Sequence, residues 1–183
     1  MTRLESPDEL LVTAAILGDL TAFEELVLRY RAAVVRLART IVGNTYAEDV
    51  AQDALLLAFK ALPTIEEPSK FAAWLSAITR HRAFRFNKRE SVELSKRVAI
   101  DEVLLEKIDA LARPLTEASE QKEVMLALDD LPTEYALPMR LRFVDEMPVK
   151  RIAAFMGLPL STVKWRLHQG KQLLRDKLKP SQE

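Results

Sequence analysis

Residues 157–175, GLPLSTVKWRLHQGKQLLR, concentrate positive charge in a chain whose formal net charge is +0. A helix that turns about 100° per residue would bury Val163, Leu167, Gly170 and Leu174 and gather polar and basic side chains on another side: Ser161, Lys164, Trp165, His168, Lys171, Gln172 and Arg175. Lysine, arginine and glutamine hold phosphates and read base edges in the major groove of DNA. The pattern predicts a DNA-binding helix. His168 is expected to contact DNA rather than a metal, because no second ligand has suitable spacing.

A second run of positive charge lies at residues 78–89, ITRHRAFRFNKR, which contain five arginines or lysines and no acid. The segment between the two runs, residues 90–118, holds seven acidic and four basic residues. A single basic run is usually a solvated helix face. Two such runs, each beside aromatics on a helix and separated by an acidic spacer, indicate two contacts on one polyanion.

Asp49 and Asp53 are four residues apart, so a helix would present both carboxylates on one side. They can pair with basic groups on a partner, although from spacing alone stabilisation of the helix dipole is the simpler explanation. A hydrolase built on this pair finds no further support in the sequence. The chain has no phosphate-cradling glycine loop, no HExxH motif and no cysteine.

The elements that carry these residues are predicted to be entirely helical. Long stretches of Ala, Leu, Glu, Lys and Arg, with only four glycines, favour an all-α fold. Four helices, at about 7–17, from Thr21 to a break at 43–44, 46–62 and 71–89, predict a four-helix domain over residues 1–90. The second helix is expected to begin with a capping box formed by Thr21 and Glu24.

The remaining chain is predicted to form an acidic linker, 91–118, and a second small helical domain, 119–183. The linker pattern fits a short amphipathic helix and a mobile tether equally well. In the second domain, Gly157 would end one helix and Ser161 would cap the next, which is the form of a helix-turn-helix. The N-terminus lacks a signal-peptide pattern, and no apolar run approaches the roughly 20 residues of a membrane-spanning helix. A cytoplasmic protein without membrane insertion is therefore expected.

In this order, the parts resemble a bacterial RNA polymerase sigma factor of the extracytoplasmic-function (ECF) type over nearly the whole chain. The resemblance rests on four stretches: DLTAFEELVLRY, AEDVAQDALLLAFKAL, KFAAWLSAITRHRAF and the C-terminal LDDLPTEY…MRLRFVDEMPVKRIAAFMGLPLSTVKWRLHQGKQLLRDKL. It implies a four-helix bundle like sigma region 2, a helix-turn-helix domain like sigma region 4, and a function in promoter recognition, strand opening and transcription initiation. The implied partners are core RNA polymerase, promoter DNA and an anti-sigma factor that no residue identifies. No active site, cofactor or metal is implied.

The resemblance also assigns residues to surfaces. The residues expected to bind polymerase are Asp49, Gln52, Asp53 and Leu56. The minus-ten element would be opened and held by a base-capturing loop and a basic helix: Glu66, Ser69, Lys70, Arg80, Arg82, Arg85, Lys88 and Arg89. Phe71 and Trp74 are expected to be core residues that support this loop. The minus-thirty-five element would be bound by Ser161, Thr162, Lys164, Trp165, Arg166, His168, Gln169, Lys171 and Arg175.

Three residues depart from the family pattern: Trp165 replaces a small residue, Gln169 an arginine and Gly170 an alanine. The promoter sequence that this protein recognises can therefore not be inferred from that of a relative. An ordinary helix-turn-helix repressor remains the alternative. It would bind duplex DNA tightly as a dimer and would not need Asp49 or Asp53.

Overall fold

The computed structural model describes residues 6–97 and 119–178, and every regular element in these two ranges is helical. The helices are α1 (Asp8–Ile16), α2 (Leu20–Ala61), α3 (Phe71–Arg97), α4 (Ser119–Asp129), α5 (Thr133–Phe143), α6 (Val149–Met156) and α7 (Leu160–Leu178). Two short 3-10 turns, Leu62–Thr64 and Pro68–Lys70, lie between α2 and α3. The predicted all-α class is confirmed.

The element α2 consists of two helical halves that fold back on each other at a bend at Gly43. This residue has φ 76° and ψ −178°, a conformation that is essentially restricted to glycine. The predicted break at 43–44 is therefore confirmed: Gly43 separates two helical halves, and the chain reverses direction there, since Phe23 and Phe59 from the two halves lie 4.9 Å apart between ring centroids. The side chain of Asn87 in α3 donates a hydrogen bond of 2.6 Å to the carbonyl of Ile41, which ties α3 to the backbone beside the bend.

The start of α2 is capped by Asp19. Its carboxylate accepts hydrogen bonds from the backbone amides of Thr21 and Ala22, at 3.0 and 3.2 Å. The predicted capping box, which placed the cap at Thr21, is therefore wrong. An aspartate at this position satisfies the free amides of the first turn and also places negative charge at the positive end of the helix dipole.

Small residues shape the core of the N-terminal module (residues 6–97). The second half of α2 buries Ala47, Ala51, Ala54 and Ala58 at helical spacing. Side chains that end at Cβ allow neighbouring helices to approach closely, and α2 and α3 share the most extensive helix contact of the module. Larger side chains, among them Phe71, fill the rest of the core.

The C-terminal module (residues 119–178) contains the helix-turn-helix in α6 and α7. Gly157, with φ 65° and ψ 35°, ends α6 in the left-handed conformation that glycine adopts without strain. Ser161 lies inside the first turn of α7 rather than before it, so it is not the predicted cap. Gly170 is buried where α7 crosses α5, and a Cβ there would lie only 2.7 Å from Cγ of Met139.

The two modules touch directly. Helix α6 packs against α3, and α5 packs against α2. Helix α3 continues to Arg97, past the predicted domain boundary at residue 90. The rest of the predicted linker, 98–118, lies outside the described residues.

Candidate functional site

An open apolar groove of about 710 Å³ lies between the two halves of α2. The ring centroids of Phe23 and Phe59, one from each half, are 4.9 Å apart along it. An exposed ion pair of 2.8 Å between Arg31 and Glu48 lies at its rim. A surface of this kind, with an apolar floor and a charged rim, is typical of a protein-binding site.

The four predicted polymerase-binding residues lie on the second half of α2, and all are exposed. Gln52 and Leu56 line the groove. Asp49 and Asp53 share their helix face, because the spacing of the four positions is that of one side of a helix. Asp53 also accepts a hydrogen bond of 2.7 Å from Arg82 in α3. This pair joins a residue predicted to bind polymerase to one predicted to bind DNA.

A second, smaller pocket of about 380 Å³ lies at the loop between α2 and α3. Two of the three predicted base-capturing residues, Glu66 and Lys70, line it, whereas Ser69 is exposed in the adjacent turn. The Lys70 ammonium forms an ion pair of 2.7 Å with Glu67. The pocket wall also includes Trp74.

Phe71 and Trp74, both predicted to be core residues that support the loop, differ in the structure. Phe71 is 2 % exposed and belongs to the core. Trp74 is half-buried, lies 5.9 Å from Phe71 between ring centroids, and presents part of its ring to the pocket. Sequence reasoning missed this second role. It also missed Thr64, Ile65 and Glu67 as lining residues, because no local pattern marks the walls of an irregular loop.

The basic residues predicted on α3 fall into two groups. Arg80 and Arg82 are half-buried and are held within the module, Arg80 by the hydroxyl of Ser76 at 3.0 Å and Arg82 by Asp53. The others are exposed further along the helix: Arg85, Lys88 and Arg89.

The reading face of α7 is the exposed side that carries Ser161, Lys164, Trp165, His168, Lys171, Gln172 and Arg175. Thr162, Arg166 and Gln169 are half-buried at its edges, and Arg166 lies 4.0 Å from Glu134. His168 and Gln172 are linked at 3.1 Å between their side-chain nitrogens. The arrangement leaves the predicted DNA-binding side chains on the surface, with the apolar positions turned inward.

Two aromatic side chains of α5 support this face, and sequence reasoning did not single them out. The ammonium of Lys171 lies 4.7 Å from the ring centroid of Phe143, which is a cation–π contact. Tyr135 lies 6.1 Å from Trp165 between ring centroids. Desolvation and the neighbouring Glu134 raise the pKa of Tyr135. Both contacts depend on the crossing of two helices and leave no pattern in the sequence.

Within residues 6–97 and 119–178, His, Asp and Glu side chains nowhere gather in threes as a metal site would require. In the same part of the chain, no helix has the length and apolarity needed to cross a bilayer.

Comparison with known proteins addresses both modules. The model of sigma-70 region 2 matches residues 26–92, and that of sigma-70 region 4 matches residues 121–174. The ECF RNA polymerase sigma factor SigW of Bacillus subtilis is 27% identical over 177 residues, covering 88% of this chain and 91% of the relative. The ECF RNA polymerase sigma-E factor of Escherichia coli K12 is 28% identical over 186 residues, covering 94% and 95%. The chain belongs to the ECF family of sigma factors.

Solved structures agree with this assignment. CnrH, solved in complex with the cytosolic domain of CnrY, superposes with a TM-score of 0.57 at 25% identity, covering 97% of this sigma factor and 100% of that chain. The sigma factor RpoE of Bartonella quintana, solved with the anti-sigma factor NepR, has the same fold, with a TM-score of 0.55 at 20% identity over 87% of this chain and 98% of that one. In this sigma factor, the loop pocket, the basic residues of α3 and most of the apolar groove thus fall within the region 2 match, and the reading face up to Gln172 falls within the region 4 match.

Proposed function

We propose that this ECF sigma factor binds core RNA polymerase through the apolar groove, directs it to a subset of promoters and helps to separate the DNA strands, without an active site of its own. The observation that carries this proposal is the joint exposure of Asp49, Gln52, Asp53 and Leu56 on one side of α2, where Gln52 and Leu56 also line the groove. An apolar anchor beside two carboxylates suits a partner surface that offers both apolar and basic side chains.

The loop pocket is the proposed site for an unpaired base of the minus-ten element. Its volume of about 380 Å³ is near the lower end of the roughly 300–1,000 Å³ typical of small-ligand pockets. Stacking of a base on an aromatic ring such as Trp74 contributes about 1–3 kcal/mol. Arg85, Lys88 and Arg89 extend along α3 from this pocket and would hold the phosphates of the same strand.

The reading face of α7 is the proposed contact with the duplex minus-thirty-five element. The N-terminal residues of a recognition helix contact base edges, so Lys164, Trp165 and His168 are placed to read sequence. Lys171 and Arg175 lie further along the helix, where phosphate contacts fit their charge.

Core polymerase and promoter DNA act in the cytoplasm, which is where we place the protein. An anti-sigma factor is the third partner that we propose. The Bartonella quintana relative was solved with such a partner, and the open apolar groove offers a surface that a competing protein can cover.

Reconstituted transcription tests the proposal, with core polymerase, the full chain and a library of promoters. The matched variants are Leu56→Asp and Leu57→Asp. Both leucines are exposed on α2, at 51 % and 40 %, but only Leu56 lines the groove. We expect Leu56→Asp to lose core binding and initiation, and Leu57→Asp to retain them.

Two outcomes would contradict the proposal. The function fails if the wild-type protein supports no initiation above core alone on any template. The groove assignment fails if the two aspartate variants bind core equally well.

A further inference from the structure

Trp165 is the one apolar side chain on the reading face of α7. The six other members of this face are polar or basic, whereas Trp165 carries a large aromatic ring that is 53% exposed. A tryptophan offers a partner a large contact area at a low cost in conformational entropy, because its side chain has only two rotatable bonds. Trp165 is therefore suited to contact a partner through apolar surface rather than through charge.

The place of Trp165 along α7 directs it toward base edges. The helix begins at Leu160, and Trp165 lies in its second turn, directly after Lys164 and one turn before His168. The N-terminal residues of a recognition helix contact bases in the major groove. The contact with DNA is that of the proposed function, on which this inference rests. If Lys164 and His168 reach the bases, the ring between them reaches the bases too.

Tyr135 of α5 holds the Trp165 ring in place. The two ring centroids are 6.1 Å apart and the rings are tilted by 55°, within the range in which aromatic pairs attract. Tyr135 is itself half-buried against α7: a Cβ added at Gly170 would lie 3.6 Å from Cβ of Tyr135. Two of the three departures from the family pattern, Trp165 and Gly170, thus meet at Tyr135. A ring that is oriented before binding loses less freedom when it binds.

The chemistry of the indole ring selects the group that it contacts. An indole has a single N–H donor and no acceptor, so it cannot accept a hydrogen bond from the amino groups that adenine and cytosine present in the major groove. The apolar group that a base pair presents there is the 5-methyl group of thymine. We propose that Trp165 reads a thymine of the minus-thirty-five element through apolar contact with this methyl group, and that Tyr135 is the residue that positions its ring.

Replacement of thymine by uracil tests this reading, because it removes the methyl group and keeps the hydrogen-bonding groups of the base. The duplex is taken from the most active promoter in the reconstituted assay and ends upstream of the minus-ten element, so that strand opening does not contribute. Each thymine of the minus-thirty-five element is replaced in turn, and fluorescence anisotropy measures the affinity of the holoenzyme. We expect a loss of about fourfold at one or two positions, which corresponds to the burial of one methyl group.

Variants of the full chain assign the effect to the ring. With Trp165→Ser, the thymine and uracil duplexes should bind equally well. Tyr135→Ala should reduce the difference between the two duplexes, and Tyr135→Phe, which keeps the ring, should retain it. Leu173→Ser is the matched control, since Leu173 is a 38% exposed apolar residue of α7 outside the reading face; it should keep the fourfold loss. The slope of log affinity against log salt reports phosphate contacts and should be the same in all four variants.

The role of Trp165 is refuted if the selected element contains no thymine, if uracil changes the affinity of the wild-type holoenzyme at no position, or if the same loss persists with Trp165→Ser. In each of these cases a wild-type protein that supports initiation leaves the proposed function standing. A wild-type protein that supports no initiation on any template refutes the proposed function, and the role of Trp165 falls with it.

Discussion

Replacing Gly170 by alanine should destabilise the C-terminal module, although alanine is the better helix former. Alanine favours a helix over glycine by about 1 kcal/mol. The added Cβ would however lie 2.7 Å from Cγ and 3.1 Å from Sδ of Met139, and 3.6 Å from Cβ of Tyr135. Met139 is 2% exposed, so it cannot swing into solvent. Overpacking of a core costs about 1–3 kcal/mol.

The two effects combine to a net loss of about 1 kcal/mol, which corresponds to a fall in Tm of about 4–8 °C for a module of this size. Urea unfolding of the full chain measures it. A Trp74→Phe background leaves Trp165 as the one remaining tryptophan of the two in the chain, so the fluorescence reports on the C-terminal module.

A double-mutant cycle with Met139→Ala provides the control. The single change at Met139 should cost about 2–5 kcal/mol. In the double variant the new methyl group at position 170 occupies part of the emptied space, so the combined loss should be smaller than the sum by about 1 kcal/mol. A gain in stability for Gly170→Ala alone, with additive effects in the cycle, would refute the packing argument.

Three further expectations follow from the described contacts. Desolvation and the contact with Asp8 raise the pKa of Tyr30. The Tyr30 hydroxyl therefore contributes fully to the free energy of unfolding below about pH 10, and this contribution declines as the pH rises above that value. In urea unfolding, Tyr30→Phe should flatten this alkaline decline. Lys171→Gln should lower the slope of log affinity against log salt by about 0.9 for a duplex that carries the minus-thirty-five element, as measured by fluorescence anisotropy with the holoenzyme. Gly43→Ala should cost about 1–3 kcal/mol in urea unfolding through backbone strain alone, since no atom lies within 4 Å of the added Cβ.

Sequence reasoning worked where the information is local or carried by periodicity. The helical spacing of Val163, Leu167 and Gly170 predicted which side of α7 is buried, and the structure confirms it. The helix-breaking character of Gly43 and Asn44 predicted the break between the two helical halves of α2. The exposure of Asp49 and Asp53 followed from their polar character and their place on a helix that also carries buried alanines.

Contacts between segments that are distant in the chain could not be predicted from the sequence. The pairing of Arg36 with Asp145 joins positions that are 109 residues apart, and nothing in either neighbourhood marks it. The pairing of Asp53 with Arg82 likewise required the orientation of α3 on α2. The cap at Asp19 was missed for a different reason. Asp19 and Thr21 are both residues that commonly cap helices, and the sequence does not show at which of the two α2 begins.

Glu146, which follows Asp145, has φ 53°, in the left-handed region that disfavours a side chain, and this bears on attempts to raise the thermal stability of the protein. Glycine at this position would relieve about 1–2 kcal/mol of steric penalty and would rank high among stabilising substitutions. The same change would give the adjoining Asp145 more orientations to choose from. A gain in thermal stability at this position would therefore come with a less firmly oriented ion pair between Arg36 and Asp145.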